Sequence, residues 1–161
     1  MFAKPQLEHQ WLDKLLGEWS FDGECDMGPD QPKMKHGGKV VGRSLGGLWI
    51  MLEMTMPSPD NTGSTTSFIN LGYDPDQQRY VGTFFGSMMP QLWIYSGTVD
   101  AGGKKLTLDT RGPKFNGSGQ TAYQDIIEWT GEDEWTLSSQ MELDDGQWKQ
   151  FMTATHKRTA A

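Results

Sequence analysis

The sequence predicts an all-β protein, an antiparallel up-and-down barrel of about ten strands preceded by one short helix. Apolar and polar residues alternate from Gly17 almost to the end of the chain, as in half-buried strands. Turn signals recur at short intervals, so the connections leave no room for crossover helices. The 20 glycines suit strongly curved strands. A two-sheet sandwich is the alternative, but a meander of hairpins closes naturally into a barrel.

The helix is predicted over residues 6–16. Pro5 suits a first helical turn, and an apolar stripe follows it at helical spacing: Leu7, Trp11, Leu12, Leu15 and Leu16. Gly17 stands where a helix C-cap favours a left-handed residue. Residues 17–158 are assigned to the barrel, and all 161 residues to a single domain.

The strands are predicted from their alternation and from the turns between them. The first, "GEWSFDGEC", places Trp19, Phe21 and Cys25 on one face and acidic residues on the other. The clearest later strand is "LWIMLEMTM", residues 48–56, which ends at Pro57. Hairpin turns are predicted at "DPDQ" (74–77), "DAGG" (100–103), "TGED" (130–133) and "DDG" (144–146).

Charge and composition exclude several classes of partner and site. The formal net charge of −7 disfavours nucleic acid and anionic membranes, because both require a basic face. No stretch approaches the ~20 apolar residues of a membrane helix, and "MFAKPQLEHQ" has no apolar run of the signal-sequence type, so a cytoplasmic location is expected. The single cysteine, Cys25, excludes an intramolecular disulfide framework and a multi-cysteine zinc site, and no metal is expected.

A short helix, Gly-x-Trp on the first strand and a meander that ends in basic residues together resemble the calycin superfamily, which includes the lipocalins. The resemblance implies that Trp19 plugs the closed end of the barrel and that a basic residue of the last strand covers its ring. Arg158 or Lys157 would take that part. Arg158 is preferred, because a guanidinium group stacks well on indole.

A larger part of the chain resembles the bacterial family known as domain of unknown function 1579. The matching segments, in order, are "LLGEW" (15–19), "LGGLWI" (45–50), "LGYDPDQQRYVGTF" (71–84) and "SGTVD…KKLTL" (96–108). The resemblance implies a compact barrel-like protein without an established activity. It supplies no catalytic residues to transfer.

The opening Gly-x-Trp is also similar to that of the nitrobindin-like haem barrels. Their signature continues with glycines at alternate positions, whereas Phe21 stands at the first of these positions and only Gly23 matches. No ligand role is therefore transferred from that family. No cofactor is expected, and haem is kept as a minor alternative.

Polar side chains on the apolar faces of predicted strands are the main candidates for a binding site. Tyr123 and Asp125 lie on the same face of a predicted strand as Ile127 and Trp129. Tyr95 shares a face with Trp93 on another predicted strand. Phenols and a carboxylate in an apolar cavity are typical of a specific ligand pocket, because polar groups removed from water need partners. The alternative is that these groups bond to one another or lie near the barrel mouth. The residues expected to bind a ligand are Trp93, Tyr95, Tyr123, Asp125 and His156.

Histidines, the cysteine and a methionine pair complete the candidates. His156 is expected to face inward as a core residue or proton carrier, whereas His9 on the helix is expected to be solvated. Cys25 is expected to be a small buried hydrophobe rather than a reactive thiol. Met88 and Met89 fall in a predicted loop, where they would form an entrance lip or a partner contact.

The sequence leaves three functions open. The favoured one is a protein that binds a small apolar or amphipathic molecule inside its barrel. The second is an enzyme on the same barrel that uses a Tyr, Asp or His as general acid or base, with no catalytic residue assigned. The third is a protein-interaction module, with a homodimer as one form. The fold alone does not decide between them.

Overall fold

A computed structural model describes residues 2–58 and 60–161, which form one short helix and ten strands. The helix, α1, is Leu7–Asp13. The strands are β1 Gly17–Cys25, β2 Met34–Leu45, β3 Trp49–Pro57, β4 Ser64–Asp74, β5 Arg79–Gly86, β6 Met89–Val99, β7 Lys105–Pro113, β8 Gln120–Gly131, β9 Glu134–Glu142 and β10 Trp148–Ala160. No helix in these two ranges is long and apolar enough to cross a membrane.

The ten strands form one closed antiparallel sheet in which every strand pairs with its neighbours in sequence. The sheet closes because β1 also pairs with β10, where Trp19 lies opposite Arg158 and Phe21 opposite His156. The prediction of an up-and-down barrel of about ten strands with one helix before it is confirmed. Closure leaves neither the first nor the last strand as an unpaired edge.

Large apolar side chains fill the barrel at the end nearest α1. They come from alternate positions of the strands, as the period of two requires. Each fully buried aliphatic side chain contributes about 1.5–3 kcal/mol relative to an exposed one. The side chains of this core that are at most 1% exposed are Leu15, Trp19, Val40, Ile50, Leu52, Ile69, Leu71, Leu106, Leu108, Ile127 and Trp135.

The helix is shorter than the predicted range of 6–16. Leu7 is 79% exposed and does not belong to the buried stripe, whereas Trp11 and Leu12 do. The backbone N–H of Leu15 donates to the Leu12 carbonyl at 3.0 Å, a tighter turn that ends the helix and leads the chain into β1. Gly17 has the expected left-handed backbone (φ 102°), but it begins β1 and is not the C-cap.

The prediction that His9 is solvated is wrong. The His9 ring is 4% exposed, and its Nδ1 accepts a hydrogen bond from the backbone N–H of Gln6 at 2.9 Å. The ring also meets Tyr73 edge-on at 5.8 Å between centroids. His9 therefore serves as the N3 residue of a capping box that faces the barrel.

Trp19 and Arg158 close the base of the barrel as the resemblance to the calycins implied. The guanidinium carbon of Arg158 lies 4.1 Å from the Trp19 ring centroid. The same group donates to the Leu16 carbonyl at 2.7 Å and to Asp133 Oδ1 at 2.8 Å. The prediction of Arg158 in this part is confirmed, and the alternative, Lys157, is exposed.

The hydrogen-bonded ladder between β6 and β7 is incomplete, so these two strands are parted over the rest of their length. Their ladder runs only from Ser96 opposite Asp109 to Val99 opposite Leu106. Among the described residues, the remainder of β6 pairs with β5 alone. The ring of Trp93 packs on the backbone of β7 here, where a Cβ at Gly112 would overlap it.

Candidate functional site

The half of the barrel away from α1 encloses a cavity of about 780 Å³. This volume falls within the range of small-molecule pockets, roughly 300–1,000 Å³. Loop residues at that end bound the mouth, among them Met88 (40% exposed) and Phe115 (64% exposed). Apolar side chains that line the cavity include Phe21, Met54, Met56, Ile69, Phe84, Leu137 and Met152.

The cavity exists because inward-facing side chains become smaller along several strands. At the base, the inward positions carry Leu, Ile or Trp, and the next inward positions toward the mouth carry Ser, Thr or Gly. A constant strand spacing then leaves the interior unfilled. The series are Leu71, Ile69 and Ser67 on β4, Leu108, Thr110 and Gly112 on β7, and Trp135, Leu137 and Ser139 on β9.

A half-buried carboxylate, that of Asp125, lies on the wall of this apolar cavity. Asp125 Oδ1 accepts a hydrogen bond from Ser139 Oγ at 2.6 Å, and Asp125 Oδ2 accepts one from the Tyr95 hydroxyl. Ser139 lies directly across from Asp125 in the β8–β9 ladder. Burial raises the pKa of Asp125, although both hydrogen bonds lower it. The group can therefore accept a proton or a hydrogen bond from a molecule in the cavity.

Tyr95 supports Asp125 from the side and does not line the cavity. The phenol is 2% exposed, and burial together with the charge of Asp125 raises its pKa well above the ordinary value. It therefore keeps its proton and donates it in the hydrogen bond to the carboxylate. This bond fixes the orientation of Asp125 on its strand.

Thr110 lines the same cavity, but its hydroxyl oxygen is not accessible from it. Its Oγ1 is buried and has no hydrogen-bond partner among the described residues. Thr110 lies on β7 opposite Tyr123. The preceding inward residue of β7, Leu108, lies opposite Asp125. A buried hydroxyl without a partner costs free energy, and this one is not accessible to a molecule in the cavity.

His156 lies flat against aromatic rings at the inner end of the cavity. Its ring stacks on Trp135 at 3.7 Å between centroids with an interplanar angle of 6°, and it lies 5.1 Å from the ring of Phe21. Burial lowers the pKa of His156 to about 3. His156 is therefore neutral near pH 7. It contributes an aromatic surface to the cavity wall and no charge.

Trp93 and Tyr123 form the aromatic wall beside the parted strands. Their rings meet edge-to-face at 5.2 Å, and Trp93 Nε1 lies 3.2 Å from Met89 Sδ. The Tyr123 hydroxyl donates to the Pro113 carbonyl, so its polar end is already satisfied. Both rings offer apolar surface to the cavity.

Cys25 and His36 meet near the mouth, with 3.8 Å between Cys25 Sγ and His36 Nδ1. Cys25 is half-buried, not fully buried as expected. Burial raises the pKa of the thiol and lowers that of His36. Both groups are therefore neutral at pH 7, and the pair provides no thiolate.

The structure places four of the five candidate ligand-binding residues on the cavity wall: Trp93, Tyr123, Asp125 and His156. Tyr95 lies behind the wall, hydrogen-bonded to Asp125. Two residues of the polar cluster, Thr110 and Ser139, escaped the sequence analysis. Met88 and Met89 both line the cavity, Met88 from the turn between β5 and β6 and Met89 from the first position of β6. Residues 2–58 and 60–161 contain no group of three or more His, Cys, Asp or Glu able to hold a metal ion.

Two solved structures share this architecture at low sequence identity. Rv2717c from M. tuberculosis matches with a TM-score of 0.65 and 15% identity, over 97% of this chain and 99% of that one. The S-type phycobiliprotein lyase CPES from Guillardia theta matches with a TM-score of 0.62 and 12% identity, over 96% of this chain and 93% of that one. At these identities the likeness concerns the fold alone.

A search among curated proteins finds no significant match. The family described as "Protein of unknown function (DUF1579)" matches residues 4–158, which includes α1, all of β1–β9 and most of β10. Its match covers nearly the whole chain, including the closing pair of Trp19 and Arg158. The chain therefore belongs to the DUF1579 family.

Proposed function

We propose that the protein binds a small, mostly apolar molecule inside its barrel and orients it through one polar group near Asp125. The observation that carries the proposal is a cavity of about 780 Å³ with apolar walls and a single carboxylate, Asp125, among its described lining residues. Such a combination gives affinity through apolar burial and orientation through a few hydrogen bonds.

The methionines of the cavity favour a ligand with a flexible or irregular apolar body. Met54 and Met56 from β3, Met88 and Met89 at the mouth, and Met152 from β10 contribute thioether side chains. Such side chains adapt to several shapes because they are unbranched and polarizable. We therefore expect the cavity to accept a series of related apolar molecules.

Nile red, a neutral apolar dye, tests the proposal in solution. Its fluorescence should rise on mixing with the wild-type protein, with saturation at one dye per chain. The Ala154→Trp variant fills the cavity from a buried position of β10, and we expect at least a roughly tenfold loss of affinity.

The matched control is Thr155→Trp, which adds the same ring one residue along β10 on the opposite face of the sheet. It should bind the dye as the wild type does. Ser67→Leu is a milder filling variant for use if Ala154→Trp does not fold. Equal dye binding by folded filling and control variants would place the dye outside the barrel and overturn the proposal.

A catalytic use of the same site is the second candidate, and Asp125 is the observation that favours it. A carboxylate whose pKa is raised by desolvation, on the wall of a cavity, is a typical general acid or base. An NMR titration of the Asp125 carboxyl carbon tests this. A pKa well above 4 is required for the candidate, and an ordinary value would remove it.

Haem does not fit the arrangement around His156. An axial ligand must present a ring nitrogen to the iron, whereas the His156 ring is 1% exposed and packed between Trp135 and Phe21. Its Nδ1 is buried and unreachable from the cavity. We expect no Soret shift when the protein is mixed with hemin, and a shift that is lost in His156→Phe would contradict this assignment.

A further inference from the structure

The cavity carries a negative group without a positive one beside it. Asp125 is the only carboxylate among the described lining residues, and the only lysine or arginine among them is Lys35, which is exposed at the start of β2. His36 and His156, the lining histidines, both have lowered pKa values because of burial and are neutral at pH 7. Nothing that lines the inner cavity neutralises the charge of Asp125.

The hydrogen-bonding capacity of Asp125 is only partly used. A carboxylate offers about four lone-pair positions. Ser139 and Tyr95 occupy one on each oxygen of Asp125, which leaves further positions unused. The complementary ligand group is one that donates several hydrogen bonds.

We propose that the molecule bound in the cavity is an apolar amine, with its ammonium group at Asp125 and its apolar body directed toward the methionine-lined mouth. The proposal rests on the proposed function, since it names the class of ligand for the same cavity. An ammonium group has three N–H donors and supplies the missing positive charge. A charge-assisted hydrogen bond is stronger than a neutral one.

Two other amphipathic classes fit less well. A fatty-acid carboxylate would stand next to Asp125 without a cation between them, and like charges at short distance in an apolar site repel strongly. An alcohol donates only one hydrogen bond and leaves the charge of Asp125 unbalanced. The net charge of −7 also attracts cations and repels anions during encounter.

The burial of Asp125 agrees with this assignment. Its pKa is raised because the two hydroxyl donors do not replace the hydration that the carboxylate has lost. A ligand ammonium group would provide that compensation. The other titratable groups that face this part of the barrel are Tyr95 on β6, Tyr123 on β8 and His156 on β10, and none of these carries a positive charge at pH 7.

Calorimetric titrations with three molecules of the same chain length test the amine assignment. The probes are decylamine, 1-decanol and decanoate at pH 7.5, each added to the full-length protein. We expect decylamine to bind at least roughly tenfold more tightly than 1-decanol, because of its charge-assisted hydrogen bonds, and decanoate to bind most weakly.

Variants then locate the preference. Asp125→Asn preserves the shape of the side chain, and it should reduce decylamine binding to the level of 1-decanol while 1-decanol binding is retained. The matched control, Asp22→Asn, removes one acidic group from an exposed position on β1 and should leave the preference unchanged. Asp125→Ser also removes the carboxylate and should lose the preference in the same way, and it tests the site should Asp125→Asn not fold.

The outcomes separate this proposal from the proposed function. Tight binding of 1-decanol without a preference for the amine would overturn the amine assignment and leave the binding function standing. A preference for decylamine that persists in Asp125→Asn would also overturn it. Binding of none of the three molecules would overturn both proposals.

Discussion

At the scale of single residues, the interior combines neutral groups whose charged forms are disfavoured by burial. His156 shows this most clearly, because its ring lies between Trp135 and Phe21 and its pKa falls to about 3. The unfolded chain binds a proton at this residue near pH 6.5, whereas the folded chain does not until about pH 3. Protonation of the unfolded state therefore destabilises the fold as the pH falls through that window.

This linkage predicts a specific effect of His156→Phe, which keeps an aromatic ring between its neighbours and removes the titration. On going from pH 7.5 to pH 4, the wild type should lose roughly 3 kcal/mol more unfolding free energy than the variant. Urea unfolding of both proteins at the two pH values measures the difference. Equal losses in the two proteins would show that His156 is not held neutral by the fold.

Single residues of the site could be predicted from the sequence only in part. Asp125 was identified because it interrupts an apolar face of a predicted strand. Ser139 was not identified, because its place opposite Asp125 depends on a β-bulge between Trp129 and Gly131, which shifts the β8–β9 register by one residue. Without the bulge, Gln140 would lie opposite Asp125. Thr110 gave no signal, because threonine is common in strands and its missing partner is visible only in three dimensions.

At the scale of elements, the base of the barrel depends on the connection between α1 and β1. Arg158 of β10 reaches back to the Leu16 carbonyl and at the same time covers Trp19. One side chain thus joins the beginning of the sheet to its end. The basic residue at the end of the meander was visible in the sequence, but the early end of α1 was not, because its last turn tightens under contact with the barrel.

We predict that Arg158→Met destabilises the protein by about 1–3 kcal/mol, because it removes charge-assisted hydrogen bonds and leaves a backbone carbonyl without its donor. Lys157→Met is the matched control, since Lys157 is exposed next to it in the strand and should change stability little. Urea unfolding at pH 7.5 measures both. Similar unfolding free energies of the two variants would contradict the claim that Arg158 stabilises the closed base of the barrel.

The packing of Trp93 on β7, where β6 and β7 are parted, leads to a second prediction at this scale. Gly112→Ala places a methyl group against the ring of Trp93, so the ring must move. We expect a cost of about 1–3 kcal/mol and a changed tryptophan near-UV circular dichroism signal. At Gly131 on β8 the nearest atom to an added Cβ is 3.8 Å away, so Gly131→Ala is the matched control. An unchanged signal in Gly112→Ala would contradict the packing described.

At the scale of the whole molecule, closure of the barrel follows from the alternation of apolar and polar residues and from the short turns. Both are visible in the sequence, which is why the fold could be predicted. The cavity could not be predicted in the same way. Its existence depends on the position along each strand at which inward side chains change from large to small, and that position becomes comparable between strands only when their registers are known. In the ladder that closes the barrel, β1 pairs with β10, so its register relates residues that are far apart in sequence.

The distribution of methionines allows a direct measurement of where a ligand binds. Six methionines line the cavity: Met34, Met54, Met56, Met88, Met89 and Met152. Met27 is 53% exposed, and Met51 lies on β3 between the buried Ile50 and Leu52, so its side chain points outward. ¹³C-methyl labelling of methionine therefore distinguishes the inside of the barrel from the outside. Signals can be assigned by single Met→Leu substitutions.

The central claim is that the interior of the barrel is a binding site, and titration of the labelled protein with 1-decanol tests it most directly. The account predicts saturable shifts of the signals from the cavity methionines, with those of Met27 and Met51 unchanged. Shifts restricted to Met27 and Met51, or no shifts at any concentration of 1-decanol below its solubility limit, would contradict it.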